Sequence, residues 1–200
     1  MFVFLKLLKI FLIYAMLPII VISCIYIDFK LFKFDHIGEL SLTEISQEIT
    51  VFIICVIYFL LAKYSRNFNS LSILIFGFFA TILVREFDYV FDMMHHGSWV
   101  FSALMVAIIC IFFACKSFKI LVKELDEYIK TQSFYLMLCG IVCVFVFSRV
   151  FGSTKFWDEF LLLSDAKMVK NIVQEGIELF GYLLCLMSSF LFKIEKFSQN

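Results

Sequence analysis

The sequence predicts an all-α fold: a polytopic bundle of about six transmembrane helices that forms a single integral membrane domain over residues 1–200. Composition is the first reason, since 63% of the 200 residues are hydrophobic and the mean hydropathy is +1.00. Run length is the second, because apolar stretches of about 18 residues recur and each is long enough to cross a bilayer. The third is that the connections are short, with no linker rich in glycine and serine, so neighbouring helices are expected to pack antiparallel.

The first apolar run follows Lys6 and Lys9 and predicts a span over roughly residues 8–27. Its "VISC" segment, which ends at Cys24, resembles the cleavage box of a bacterial lipoprotein. The apolar run continues past Cys24 through "IYI", however, and a chain with further spans needs no lipid anchor. We therefore expect the first helix to be retained, with cleavage at Cys24 as the alternative.

Later apolar runs predict the remaining helices, with boundaries that are good to a few residues. These spans are roughly 47–64, 70–92, 98–116, 133–151 and 171–192. The seven cysteines all fall inside apolar runs, so we expect them to behave as small hydrophobic side chains. Cys139 and Cys143 lie four residues apart on one helix face, and packing is the preferred interpretation of this pair as well.

Basic residues give the orientation of the six spans. The side that carries both termini and the connections between spans 2 and 3 and spans 4 and 5 has ten lysines and arginines, whereas the opposite side has seven. The positive-inside rule then places both termini in the cytoplasm. Thirteen of the seventeen acids lie on the opposite, outer side. We therefore expect a multi-pass protein of a bacterial inner membrane with an acidic outer face.

Charge and motifs exclude several functions and leave others open. The formal net charge is zero, so no basic face predicts binding to nucleic acid. The sequence has no glycine-rich phosphate loop, nucleophile elbow or CxxC pair. The expected partner is the lipid bilayer, with protein partners or a homo-oligomer as further candidates. Residues 116–130, "KSFKILVKELDEYIK", predict a charged amphipathic helix at the cytoplasmic surface, with partner docking as the alternative.

The stretch "LVREFDYVFDMMHHG", residues 83–97, brings ionisable groups to the end of the third apolar run. Such groups are costly in a bilayer, so they need partners or a function. Helical spacing from Arg85 predicts a stripe along one face, with Glu86 beside it. The other members of the stripe are Asp88, Tyr89, Asp92, His95 and His96.

Other helices bring matching charges to the same predicted level. Glu44 and Glu48 lie one turn apart in the second span, and Glu175 and Glu178 lie on one face of the sixth. The chain has fourteen lysines but only three arginines, two of which are Arg85 and Arg149. An arginine side chain grips a carboxylate at two points where lysine cannot. We therefore predict one acidic, arginine-braced site at the outer ends of helices 2, 3, 5 and 6.

Three functions compete for this predicted site. The preferred one is binding of a metal or small polar ligand, with hydrolysis as one option and enzyme activity otherwise undecided. Its candidate divalent-metal ligands are His95, His96 and Asp92, and its candidate catalytic groups are Glu86, Asp88, Asp92 and Glu178. The alternative is a structural or assembly subunit whose charges form a packing network. The third is a component that transports cations or protons.

Overall fold

A computed structural model of the chain describes residues 2–32, 41–65, 67–87 and 97–197. Within these ranges the chain is helical and holds no strand, which confirms the predicted all-α fold. The described helices are α1 (Phe2–Phe32), α2 (Leu42–Tyr64), α3 (Asn69–Glu86), α4 (Trp99–Cys115), α5 (Phe118–Tyr128), α6 (Gln132–Phe151), α7 (Thr154–Asp158) and α8 (Leu163–Phe197).

Long apolar helices support the prediction of a multi-pass membrane protein. In the described residues, five helices are long and apolar enough to cross a membrane, and the number rises to six if α4 and α5 count as one bent span. The terminal helices α1 and α8 extend well beyond their predicted spans at both ends. Helical hydrogen bonds satisfy the backbone inside and outside the apolar core equally, so hydropathy marks the apolar segment and not the ends of the helix. The cytoplasmic placement of the termini stays a prediction.

The third span ends earlier than predicted. The sequence predicts a span to residue 92, whereas α3 ends at Glu86 and Phe87 leaves the helical conformation with φ −90° and ψ 22°. The Phe87 N–H donates to the Leu83 carbonyl at 3.1 Å and closes the last turn. Apolar residues continue past this point in the sequence, so the pattern did not reveal the helix end. The rest of the predicted stripe, residues 88–96, lies outside the described residues.

Side chains that lie outside α3 and α6 cap the starts of these two helices. The Glu124 carboxylate of α5 accepts a hydrogen bond from the Leu71 N–H of α3 at 2.7 Å. The Thr131 hydroxyl accepts one from the Phe134 N–H at 3.2 Å and caps α6. The first N–H groups of a helix have no partner within that helix, and a carboxylate is favourable at this positive end of the helix dipole. These contacts fix where α3 and α6 begin.

The chain divides into two compact units. Unit 1 comprises residues 1–47 and 139–184, and unit 2 comprises residues 48–138 and 185–200. Buried side chains of unit 1 include Val21, Leu179 and Tyr182. In unit 2, Tyr58 and Tyr128 both pack against the ring of Phe192, with centroid distances of 6.2 and 5.0 Å. This division does not test the prediction that residues 1–200 form a single membrane domain.

The cysteines are all free thiols. Cys24, Cys55, Cys110 and Cys185 are buried, as expected for small hydrophobic side chains. By contrast, Cys115 of α4 and Cys139 of α6 are exposed. An apolar run predicts burial in protein or in lipid without distinguishing the two. Cys24 lies within the continuous helix α1, so the "VISC" segment is helical.

Candidate functional site

Asp28 anchors a polar cluster in unit 1, where the end of α1 meets the start of α2. Its carboxylate is 4% exposed and accepts the Leu42 N–H at 2.6 Å and the Thr43 N–H at 2.9 Å. The Thr43 hydroxyl donates to the same carboxylate at 2.5 Å. Ser41 accepts the next N–H, from Glu44, at 3.1 Å. The unpaired N–H groups at the start of α2 are therefore satisfied by one carboxylate and one hydroxyl.

Two glutamines donate hydrogen bonds to the glutamates of α8. The buried Gln47 side chain donates to the Glu175 carboxylate at 3.0 Å and to the Glu175 carbonyl at 3.1 Å, which joins α2 to α8. One turn further along α8, the Gln174 amide donates to the Glu178 carboxylate at 3.3 Å. Glu175 and Glu178 thus lie where the sequence suggests, on adjoining turns with polar neighbours.

Arg149 pairs with Glu178 across two helices of unit 1. The nearest guanidinium nitrogen is 3.6 Å from a Glu178 carboxylate oxygen, and the side chains are 49% and 5% exposed respectively. A π-helical turn, Cys143–Phe147, precedes Arg149 in α6. Such a turn rotates the residues that follow it relative to a regular helix, and these turns are frequent at functional sites. We therefore attribute the direction of Arg149 towards α8 to this turn.

These residues of unit 1 surround a small, partly open cavity. The centre of a water molecule has about 10 Å³ available inside this cavity. That is room for about one water molecule or one ion of similar size. Most of its polar lining consists of oxygen-bearing side chains. The lining residues are Ile25, Asp28, Ser41, Thr43, Asn171, Ile172 and Glu175. We call this cavity, together with Gln47, Glu178 and Arg149, the acidic site.

A second charged cluster belongs to unit 2. Arg85 and Glu86, adjacent in the last turn of α3, form an ion pair with a nitrogen to oxygen distance of 2.7 Å. Glu48 of α2 lies near enough to Glu86 for the two negative charges to repel each other. Arg85 is thus paired with Glu86, one of the carboxylates of the predicted site. The convergence of both clusters into one site stays a prediction.

The remaining predicted residues divide into described and undescribed groups. Glu44 lies half-buried in the first turn of α2, and its N–H is held by Ser41. The candidate metal ligands and the other candidate catalytic groups of the stripe, Asp88, Asp92, His95 and His96, lie outside the described residues. In the part of the chain that the structure describes, no group of three or more His, Cys, Asp or Glu side chains is arranged to hold a metal ion.

Sequence reasoning missed Asp28, Ser41 and Thr43. The "SLTE" segment, residues 41–44, is a capping box, Ser-x-x-Glu, which marks a helix start five residues before the predicted residue 47 (47 − 42). Asp28 is the single acid in the sequence of the first helix, residues 2–32. An isolated acid at the end of an apolar run needs a partner, and this signal identifies it in hindsight.

The acidic site can hold a small positively charged or hydrogen-bonding species. Carboxylate, hydroxyl and amide oxygens are the donors that hard cations prefer, and the lining offers all three kinds. The geometry of the described residues assigns no reaction. No protein-family model, curated protein or solved structure matches the chain.

Proposed function

We propose that this multi-pass membrane protein binds one small hard cation in the acidic site. The observation that carries the proposal is the cavity of unit 1, which has carboxylates from two helices in its lining, Asp28 of α1 and Glu175 of α8. Its volume of about 10 Å³ fits one ion without its hydration shell. Larger organic ligands are too big for this cavity.

The charges of the acidic site favour a cation. Asp28, Glu175 and Glu178 carry three negative charges when ionised, against one positive charge on Arg149. Arg149 contacts Glu178, so its charge is directed to the glutamate that does not line the cavity. A cation between Asp28 and Glu175 would offset the remaining negative charge.

A structural network is the second candidate, and the hydrogen bonds of Asp28 favour it. The Asp28 carboxylate accepts three hydrogen bonds from α2, and Glu175 accepts one from Gln47. These contacts join α1, α2 and α8 without any ligand. Buried polar pairs of this kind can specify helix packing. The two candidates differ in one respect, because only the first requires that stability depends on a specific cation.

Other parts of the predicted function gain no support from the described residues. A divalent metal held by His95, His96 and Asp92, with hydrolysis at Glu86, Asp88 or Glu178, stays a prediction that concerns mostly undescribed residues. Location in a bacterial inner membrane, an oligomeric state and cation or proton transport are likewise predictions.

Thermal unfolding of the purified protein in a series of chloride salts tests the proposal. Lithium, sodium, potassium, magnesium and calcium are compared with N-methyl-D-glucamine, a cation too large for the cavity, at constant ionic strength. A cation that binds only the folded state raises stability by about 2.7 kcal/mol at one hundred times its Kd. We expect a saturable rise of Tm with at least one small cation.

Two neutralising substitutions make the test specific. Glu175→Gln removes a charge from the cavity with little change of shape and should abolish the cation-dependent rise of Tm. Glu159→Gln, at an exposed position of unit 1, is the matched control and should retain it. Equal Tm values in all salts would leave the structural network as the function of the acidic site.

A further inference from the structure

Helix α5 turns sharply away from the helix before it. The axes of α4 and α5 differ by 95°, and only Lys116 and Ser117 separate the two helices. With 17 residues, α4 is about 25 Å long, which is within the length range of a transmembrane helix. A helix at nearly a right angle to a transmembrane helix runs along the membrane surface. With α4 across the bilayer, α5 would lie in the plane of the interface.

One face of α5 packs on the protein. Leu121, Glu124 and Tyr128 are buried, at the spacing of a single helix face. The Glu124 carboxylate accepts the Leu71 N–H of α3 at 2.7 Å, and the Tyr128 ring contacts that of Phe134 at a centroid distance of 5.4 Å. These contacts hold α5 in a fixed rotation about its own axis.

A second, apolar face of α5 is exposed. Phe118 is 64% exposed and Val122 48%, and Ile129 is also exposed. At about 100° per residue, these three side chains lie within roughly 40° of one another around the helix. They are adjacent to the face that packs on the protein. In water, such a row of exposed apolar side chains would be unfavourable.

The third face of α5 is charged and carries an excess of lysine. Lys123 pairs with Glu127, at 4.0 Å, and Lys130 pairs with Asp126. The exposed Lys119 lies on the same side of α5 as Lys123, and the exposed Lys116 lies in the junction just before the helix. Together, these four lysines and two acids carry a net charge of +2.

We propose that α5 lies in the membrane interface and binds the headgroups of anionic phospholipids through Lys116 and Lys119. The apolar face then inserts among the upper acyl chains, and the charged face meets the phosphate groups. A lipid surface covers both faces at once because its apolar and anionic layers are adjacent. An acidic protein partner would match the lysines alone and leave Phe118 and Val122 uncovered.

Photocrosslinking from α5 in reconstituted protein tests this assignment. p-Benzoylphenylalanine replaces Val122, an exposed residue of the apolar face, and the full chain is placed in vesicles with equal amounts of phosphatidylglycerol and phosphatidylcholine. Mass spectrometry then identifies the adducts. We expect lipid adducts that contain phosphatidylglycerol about threefold more often than phosphatidylcholine, because lysines near the membrane surface attract anionic lipid.

Paired lysine substitutions identify the source of the preference. Lys116→Gln with Lys119→Gln should bring the two adducts to equal amounts, whereas Lys6→Gln with Lys9→Gln, an equal change of charge on α1, should leave the preference intact. Equal adducts in the protein with native lysines would overturn the proposal. Adducts to protein alone, or the absence of any lipid adduct, would overturn the proposal as well.

Discussion

At the scale of single residues, carboxylates of this chain act as caps for helices other than their own. Asp28 of α1 accepts the first N–H groups of α2, and Glu124 of α5 accepts an N–H near the start of α3. A buried carboxylate needs several donors, and the start of a helix offers N–H groups that need an acceptor. Each cap therefore gives the carboxylate its donors and the N–H groups their acceptor, and it links two helices.

We predict that Asp28→Asn destabilises the folded protein by about 1–2 kcal/mol, the usual effect of losing a helix N-cap. The amide keeps the shape of the side chain but loses the charge and one acceptor for the three donors. Chemical unfolding in detergent micelles, followed by helical circular dichroism, measures this change.

Asp158→Asn, at an exposed position of α7, is the matched control for Asp28→Asn and should change the free energy of unfolding by less than about 0.5 kcal/mol. Equal stability of both variants would show that the contacts of Asp28 contribute nothing to the fold.

Residue-scale features were only partly predictable from the sequence. The low arginine count indicated that Arg149 is a specific partner for an acid, and it pairs with Glu178. Arg85 pairs with Glu86, which belongs to the same predicted site. Helical spacing gives the face on which a side chain starts, but it does not give the direction of a long, flexible side chain at a helix end.

At the scale of helices, close contact between α3 and α4 depends on Gly77. A Cβ atom at this position would lie 2.3 Å from the Cys110 Cβ and 3.0 Å from its sulfur. Two carbon atoms cannot approach to that distance, so any side chain at position 77 moves the helices apart. Small residues permit this kind of packing in membranes.

We predict that Gly77→Ala destabilises the protein by about 1–3 kcal/mol through overpacking. Cys110→Gly removes the opposing side chain, so the double variant Gly77→Ala with Cys110→Gly should recover part of the loss. The two single variants and the double variant form a cycle whose coupling energy is measured by unfolding in detergent. Strict additivity would show that the two positions do not contact each other.

The helices themselves were predictable because apolar length and helix formation coincide in membrane proteins. Helix ends were not, since they depend on caps such as Ser41 and Glu124 and on the backbone conformation of Phe87. The segment from 116 to 130 was predicted as a solvated surface helix. The structure shows α5 there, and Leu121, Glu124 and Tyr128 form a buried face of this helix. The charge pattern did not distinguish Glu124, which caps α3, from the solvated acids of the segment.

At the scale of the whole molecule, the distribution of lysine and arginine predicts the topology. We expect reporter fusions after Lys130 to give a cytoplasmic signal and fusions after Lys155 to give an external signal, since the positive-inside rule assigns these connections to opposite sides. Alkaline phosphatase and green fluorescent protein, which are active on opposite sides of a bacterial inner membrane, serve as the reporters. The opposite pair of signals would reverse the orientation and put the acidic site on the cytoplasmic side.

The polar residues of the acidic site were partly visible in the sequence. Glu175, Glu178 and Arg149 were identified because ionisable groups in apolar runs are rare. The cavity was not, because it depends on how Asp28 and Thr43 close the junction of α1 with α2. A sequence shows which groups need partners, whereas the space between those groups follows from packing.

Isothermal titration calorimetry with sodium chloride and with magnesium chloride, on protein purified in N-methyl-D-glucamine buffer, tests the central claim most directly. We predict saturable binding of at least one of the two cations, with a stoichiometry of one per chain, that Glu175→Gln abolishes and the exposed control Glu159→Gln retains. No saturable heat with either salt, or unchanged binding in Glu175→Gln, would contradict the assignment of the acidic site as a cation site.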